Sequence, residues 1–325
     1  MKKIFEFLKK NKKIITNVLT IIVLGLMVLY LYRNRDVFVS LRTLELQYII
    51  YIFLAQLITV LLNAVVNQKA ISILKHDISF RDAFFLQYVN ALLNKIVSEG
   101  GALFRAVFLK EKYKLPYTKY LSTLAGLYIV SFLSSSIIGL LSLAYIYFVY
   151  GRLNYLILGF FLFLLTAMIV ILFINPHFKN KKELRILRLI NSVLDGWAEL
   201  KKRKRNLLFF TAITVVGAFF MAIQSVFVYR ALGQDLGIVE SLYMASISFV
   251  TTFINITPDS VGIREGVYMF SSDIIGLDSD IILLGALIIR AIGLLNTFVV
   301  GGIAYLKLVP ELKGKSYLKE APEDI

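Results

Sequence analysis

The chain has 325 residues, 58% of them hydrophobic, with a mean hydropathy of +0.75 and a net charge of +15. A soluble domain rarely exceeds about half apolar residues, so a soluble globular protein is excluded. There is no Cys, and neither of the two histidines, His76 and His177, has metal-ligand spacing around it, so no disulfide, thiol catalyst, metal or cofactor is expected.

Five runs contain no Lys, Arg, Asp or Glu: Ile14–Tyr32, Leu46–Gln68, Tyr120–Gly151, Leu153–Phe178 and Asn206–Tyr229. Each is long enough for the roughly 20 residues that span a bilayer as a helix. Barrel strands would be about half that length and would alternate, so the pattern predicts an all-α, polytopic helical bundle. In that class the positive charge belongs to loops that flank spans and contact anionic headgroups. No nucleic-acid partner is expected.

Taken in order, the N-terminus carries Lys2, Lys3, Lys9, Lys10, Lys12 and Lys13, which places it in the cytoplasm. The apolar run 14–32 is too long for a signal peptide. It is followed by Tyr32-Arg-Asn-Arg35 rather than a small-residue cleavage site, so it is an uncleaved helix. A second helix, 46–68, returns to the basic residues Lys69, Lys75 and Arg81.

Segment 83–109 decides the topology. A single crossing would put Lys110, Lys112, Lys114 and Lys119 outside, together with segment 176–206 and its ten Lys/Arg against three acids. That inverts the positive-inside rule. A hairpin that enters and leaves on the cytoplasmic side, broken near Ser98–Gly101, restores it. Helices 117–149 and 153–174 follow. Residues 183–200 place Ile186, Ile190, Val193, Leu194, Trp197 and Leu200 on one face. Within the connector 176–206 they form an amphipathic helix, lying on the cytoplasmic surface or packed on other loops. Helix 207–230, a second hairpin over 241–275 broken at Pro258–Gly262, and helix 280–306 complete the chain. Both termini are cytoplasmic in this reading, with the chain multi-pass in the cell membrane.

The two breaks are Asn94-Lys-Ile-Val-Ser-Glu-Gly-Gly-Ala-Leu-Phe-Arg105 and Asn255-Ile-Thr-Pro-Asp-Ser-Val-Gly-Ile-Arg-Glu-Gly266, offset by about 161 residues. The same offset sets Asn63 on Gln224, and Gly101 on Gly262. With one span between the halves, residues 46–149 and 207–306 read as an inverted repeat within a single membrane domain, 1–325. Paired broken helices in inverted halves are a recurring plan of alternating-access transporters.

Candidate substrate-binding residues lie in these breaks and in the last helix. Arg290 is the single charge within Ile281–Tyr305, and an arginine at that depth costs at least a few kcal/mol unless paired or hydrated. It grips an anion in a cavity or pairs with Asp259 or Glu265. Arg105 and Arg264 suit phosphate, because a guanidinium presents a planar fork of donors. The amides of Gly100, Gly101 and Gly262 could add to that, or the arginines could pair with Glu99 and Glu265. Glu99, Asp259 and Glu265 serve either as coupling carboxylates or as fixed counter-ions. Asn94, Asn255 and Pro258 belong to the breaks, the asparagines satisfying backbone groups freed there. No nucleophile elbow, P-loop or zinc-protease motif is present, so no catalytic residue is assigned.

Glu99-Gly100-Gly101 with Arg105, the run Ile256-Thr-Pro258-Asp-Ser-Val-Gly262-Ile-Arg264-Glu265-Gly266, and Arg290 together resemble the membrane domain of the lysylphosphatidylglycerol synthase family. The first break departs from that pattern, lacking its proline and its Gly-Glu order. Thr123–Ser131 lacks the Arg/Asp pair that many relatives carry there. The resemblance implies a flippase for an anionic or lipid-linked substrate, with membrane lipids as partners. Some relatives add a soluble aminoacyl-transfer domain after the membrane part. This chain ends about twenty residues beyond its last helix, so that synthase activity is not expected of it. The alternatives are an enzyme or accessory subunit that works with a lipid- or glycan-modifying partner, and a transporter of small anions. The oligomeric state is left open.

Overall fold

The computed structural model describes residues 44–96, 100–115, 117–174, 197–198, 200–251 and 262–312, together with 191 and 260. The helices are α1 (Leu46–Ile73), α2 (Phe80–Ile96), α3 (Gly100–Tyr113), α4 (Tyr117–Tyr150), α5 (Tyr155–Ile174), α6 (Lys204–Ala231), α7 (Ile238–Thr251), α8 (Ile263–Phe270), α9 (Ser272–Ile275) and α10 (Ser279–Leu312). No strand occurs among the described residues. Among the described residues, four helices are long and apolar enough to cross a membrane: Leu46–Ile73, Thr123–Tyr150, Lys204–Ala231 and Ser279–Leu308. The expected helix at 14–32 lies outside the described residues.

Where the helices stop follows from local chemistry. The Ser79 hydroxyl accepts the Asp82 amide (3.2 Å), and Asn154 Oδ1 accepts the amides of Leu156 (3.0 Å) and Ile157 (3.3 Å). Both are side-chain caps that satisfy first-turn donors at the starts of α2 and α5. At the end of α3 the Leu115 amide reaches back to the Leu109 carbonyl (3.1 Å), and the chain turns through a left-handed Lys114.

Two series of helices agree in order and in length. The first runs α1 (28 residues), α2, α3 and α4 (34 residues). The second runs α6 (28 residues), α7, α8–α9 and α10 (34 residues). In each, a long helix is followed by a pair of short ones joined through a polar stretch.

The chain forms two compact units. One comprises the chain to Ala55, Ser135–Leu165 and Ala218–Ile292; its core gathers Leu143, Phe161, Tyr229, Tyr243, Ile274 and Ile282. The other comprises Gln56–Ser134, Thr166–Gly217 and the chain from Gly293; its core gathers Ile71, Val89, Phe108, Leu127, Phe210 and Leu308. Helices α1, α4, α5, α6 and α10 contribute residues to both units. Helices α2 and α3 belong wholly to one, and α7 to α9 wholly to the other.

Trp197 and Leu200 are each 1% exposed and sit in the core that holds Phe210. At these two positions the connector packs on the protein itself. The rest of 183–200, except 191 and 198, lies outside the described residues.

The α2–α3 pair is held at one end by a polar cluster. Asp82, 2% exposed, accepts hydrogen bonds from Lys112 Nζ (2.5 Å) and from the Tyr113 hydroxyl. The Tyr113 carbonyl in turn lies 3.0 Å from His76 Nδ1. Burial, and after it the hydrogen bond to the Asp82 carboxylate, raises the Tyr113 phenol above its usual range. Asp82→Asn keeps the shape and removes the charge. We expect it to lower stability by about 2 kcal/mol, read as a fall in the thermal midpoint of the detergent-solubilised chain. Lys112→Gln should cost less, because Lys112 is 35% exposed. A midpoint unchanged by Asp82→Asn would leave the pair held by packing alone.

Candidate functional site

The described site residues fall into two clusters, one in each unit. The first surrounds the break between α2 and α3. Its backbone contact is close: a Cβ on Gly101 would lie 2.2 Å from the Asn90 carbonyl oxygen. Only glycine lets α3 start against α2 at this separation. The Gly101 amide donates to Asn94 Oδ1 (2.9 Å). Asn94 therefore satisfies a donor freed by the break, as the sequence suggests. The same bond takes up an amide that the sequence offers for an anion.

Arg105, one turn into α3, has neutral partners among the described residues. Its Nη2 donates to Gln87 Oε1 (2.7 Å) and its Nη1 to the Tyr120 hydroxyl (3.2 Å). The guanidinium also lies 6.0 Å from the Tyr120 ring centroid, a cation–π geometry. The second layer is neutral too. Tyr120 donates to Asn67 Oδ1, and Asn67 Nδ2 (2.7 Å) and Gln87 Nε2 (3.1 Å) both donate to the Asn63 carbonyl. Arg105 Nε is buried with no hydrogen-bond partner among the described residues. A small cavity lined by Asn67, Gln87, Arg105 and Tyr120 adjoins it.

The second cluster surrounds the break before α8. Gly262 caps this helix at φ 80°, a left-handed conformation open to glycine at no steric cost. Its amide donates to Glu265 Oε2 (2.8 Å). The second amide offered by the sequence is thus also taken by the protein. The other carboxylate oxygen, Glu265 Oε1, accepts from Arg290 Nε (2.8 Å) and lies 2.6 Å from Arg290 Nη2. The side chains are 4% exposed for Glu265 and 14% for Arg290. One carboxylate therefore caps a helix and neutralises a buried arginine. Tyr268, buried beside Arg264, Glu265 and Arg290, donates to the Met244 carbonyl (3.4 Å) and ties α8 to α7. Arg264 Nε is buried and has no hydrogen-bond partner among the described residues.

Of the sequence candidates, Glu99, Asn255, Pro258 and Asp259 lie outside the described residues. Gly100, Gly101 and Asn94 form the first cluster with Arg105, while Gly262, Arg264, Glu265 and Arg290 form the second. Sequence reasoning missed Gln87, Tyr120 and Tyr268. Gln87 interrupts the otherwise charge-free, largely apolar stretch Ala83–Val89 of α2, which was the available signal. The tyrosines look like ordinary apolar packing until the helices are placed.

Comparison with protein-family models finds a match described as the lysylphosphatidylglycerol synthase TM region, over residues 14–301. A search of curated proteins and a search of solved structures each found no match.

Two stability outcomes are expected from these contacts. Gly101→Ala drives a methyl into the Asn90 carbonyl and should cost about 1–3 kcal/mol, visible in the same thermal midpoint. Glu265→Gln removes the charge from the described carboxylate partner of Arg290 and should cost about 3 kcal/mol. Adding Arg290→Gln to it should return most of that loss, giving a coupling term in a double-mutant cycle. Additive losses would show that the pair does not act as one unit.

Proposed function

This chain belongs to the lysylphosphatidylglycerol synthase TM-region family, across residues 14–301, and from that premise we propose that it is a flippase. The family relates it to membrane domains of lipid modification or transport. In our reading it moves an anionic, phosphate-bearing or lipid-linked substrate between leaflets without itself catalysing a reaction. The acyl or isoprenoid tails stay in lipid while the headgroup meets the polar breaks.

One observation carries this reading: Arg105 is a partly buried cation whose described partners are all neutral. Neutral partners orient a guanidinium without cancelling its charge, which leaves it suited to an incoming phosphate oxygen. Arg264, with its own unpartnered Nε, is the corresponding group of the second break. Arg290 acts behind it as a positioning residue, through Glu265. The reading also takes α2–α3 and α7–α9 as re-entrant hairpins of an inverted repeat, which the matched helix lengths and the distribution of basic residues support. We place the chain in the cell membrane with both termini cytoplasmic, on the strength of the lysines near each end.

The test is a leaflet assay in liposomes with a headgroup-labelled anionic lipid. Arg105→Gln and Arg264→Gln should each slow transfer by roughly 10-fold or more, the worth of one lost charge-assisted hydrogen bond. The exposed Arg230→Gln should leave transfer unchanged. Normal transfer by a well-folded Arg105→Gln protein would remove Arg105 from the substrate path. Chemical conversion of the lipid by the purified chain would favour the enzymatic alternative.

A further inference from the structure

A separate cavity of about 620 Å³ opens between the end of α1 and the start of α6. Its size falls in the range of small-molecule sites. Its walls combine two cations, Lys69 and Arg205, with the polar side chains of Gln68, Ser72 and Asn206; one acid, Asp77, is also present. Val65, Ile78 and Phe209 supply an apolar side. None of the residues that make the two breaks contributes to it.

Its level in the membrane follows from the sequence of its own two helices. The charge-free run of α1 ends at Gln68, and Lys69 is its first charge. The charge-free run of α6 begins at Asn206, and Arg205 is the last charge before it. Both helices therefore change from hydrocarbon-compatible to basic at residues that line one cavity. Next to it, Leu208 (72% exposed) and Phe80 (42% exposed) present apolar surface outward. The Ser72 hydroxyl donates to the Lys69 carbonyl (2.8 Å), Gln68 Nε2 donates to the Ile78 carbonyl (3.0 Å), and no ion pair among the described residues involves Lys69 or Arg205. Asp77 reduces the local charge to a net of one positive.

We propose that this cavity binds the phosphate of an anionic phospholipid headgroup, seated at the water–hydrocarbon boundary with its tails along the apolar faces of α1 and α6. Lys69 and Arg205 take the phosphate, while Gln68 and Asn206 meet the polar remainder of the headgroup. This lipid is a resident at the edge of the protein, distinct from any lipid that is moved.

The experiment titrates the purified full chain in detergent with short-chain phosphatidylglycerol, short-chain phosphatidylcholine and inorganic phosphate, read by native mass spectrometry. Phosphatidylglycerol should bind saturably and more tightly than either of the others. Lys69→Gln with Arg205→Gln should weaken it by roughly 10-fold or more, whereas Lys69→Arg should retain it. Ser72→Phe, which fills the cavity and leaves the charges, should also weaken it. Lys110→Gln with Lys114→Gln removes the same number of charges elsewhere and should change nothing. Undiminished binding by the Lys69/Arg205 double variant, or an equal loss in the Lys110/Lys114 control, would overturn the proposal. Equal affinity for inorganic phosphate would assign the site to a free anion instead. Arg105 and Arg264 stay intact throughout, so the outcome is independent of whether the chain transfers lipid.

Discussion

A helix that ends inside an apolar chain exposes backbone donors that hydrocarbon cannot satisfy, and each such donor left bare costs several kcal/mol. Both breaks answer this with a side chain from their own neighbourhood. Asn94 takes the Gly101 amide, and Glu265 takes the Gly262 amide. The choice of an amide at one break and a carboxylate at the other governs much of what surrounds them. A neutral cap brings no charge with it and asks for no counter-ion. A carboxylate in the same kind of place needs a cation, and Arg290 fills that need from α10.

The two clusters consequently differ in electrical character. Around Glu265 a charged pair offsets itself locally: the carboxylate takes the Gly262 amide with one oxygen and the Arg290 guanidinium with the other. Around Arg105 the partners among the described residues are amides and a phenol, none of which carries charge in ordinary conditions. A guanidinium held in this way has its direction fixed while its field extends beyond its partners. The arginine in the middle of a spanning helix looks the more anomalous in the sequence. Among the described residues, the one beside Gln87 and Tyr120 is electrostatically the more open.

The helical class, the long helices and the position of the first break were legible in the sequence, because each is a matter of composition along the chain. Leu46–Gln68 and Asn206–Tyr229 declare themselves by lacking charge, and Gly100-Gly101 by interrupting an apolar stretch. Glu265 was one of two acids, with Asp259, offered as a partner for Arg290, because both belong to the second polar break. What the sequence could not supply was which face a side chain takes. Gln87 and Tyr120 meet Arg105 only because α2, α3 and α4 pack together, and no spacing rule within one helix encodes that. The amides of Gly101 and Gly262 looked free because their acceptors, seven and three residues distant in sequence, are identified only in three dimensions. The cavity beside Lys69 and Arg205 joins residues from two helices far apart in the chain, so no local pattern announces it.

The α2–α3 pair is fastened at both ends. Asp82, Lys112 and Tyr113 join it at one, and Asn94 with the Gly101–Asn90 backbone approach joins it at the other. Two rods tied at both tips cannot open like scissors. The pair can tilt or slide only as one stiff lever, and any hinge must lie in the segments that link it to its neighbours. Its amides should then exchange with solvent as one cooperative block, slower than those of the turns at Lys75 and Lys114 where the lever is mounted.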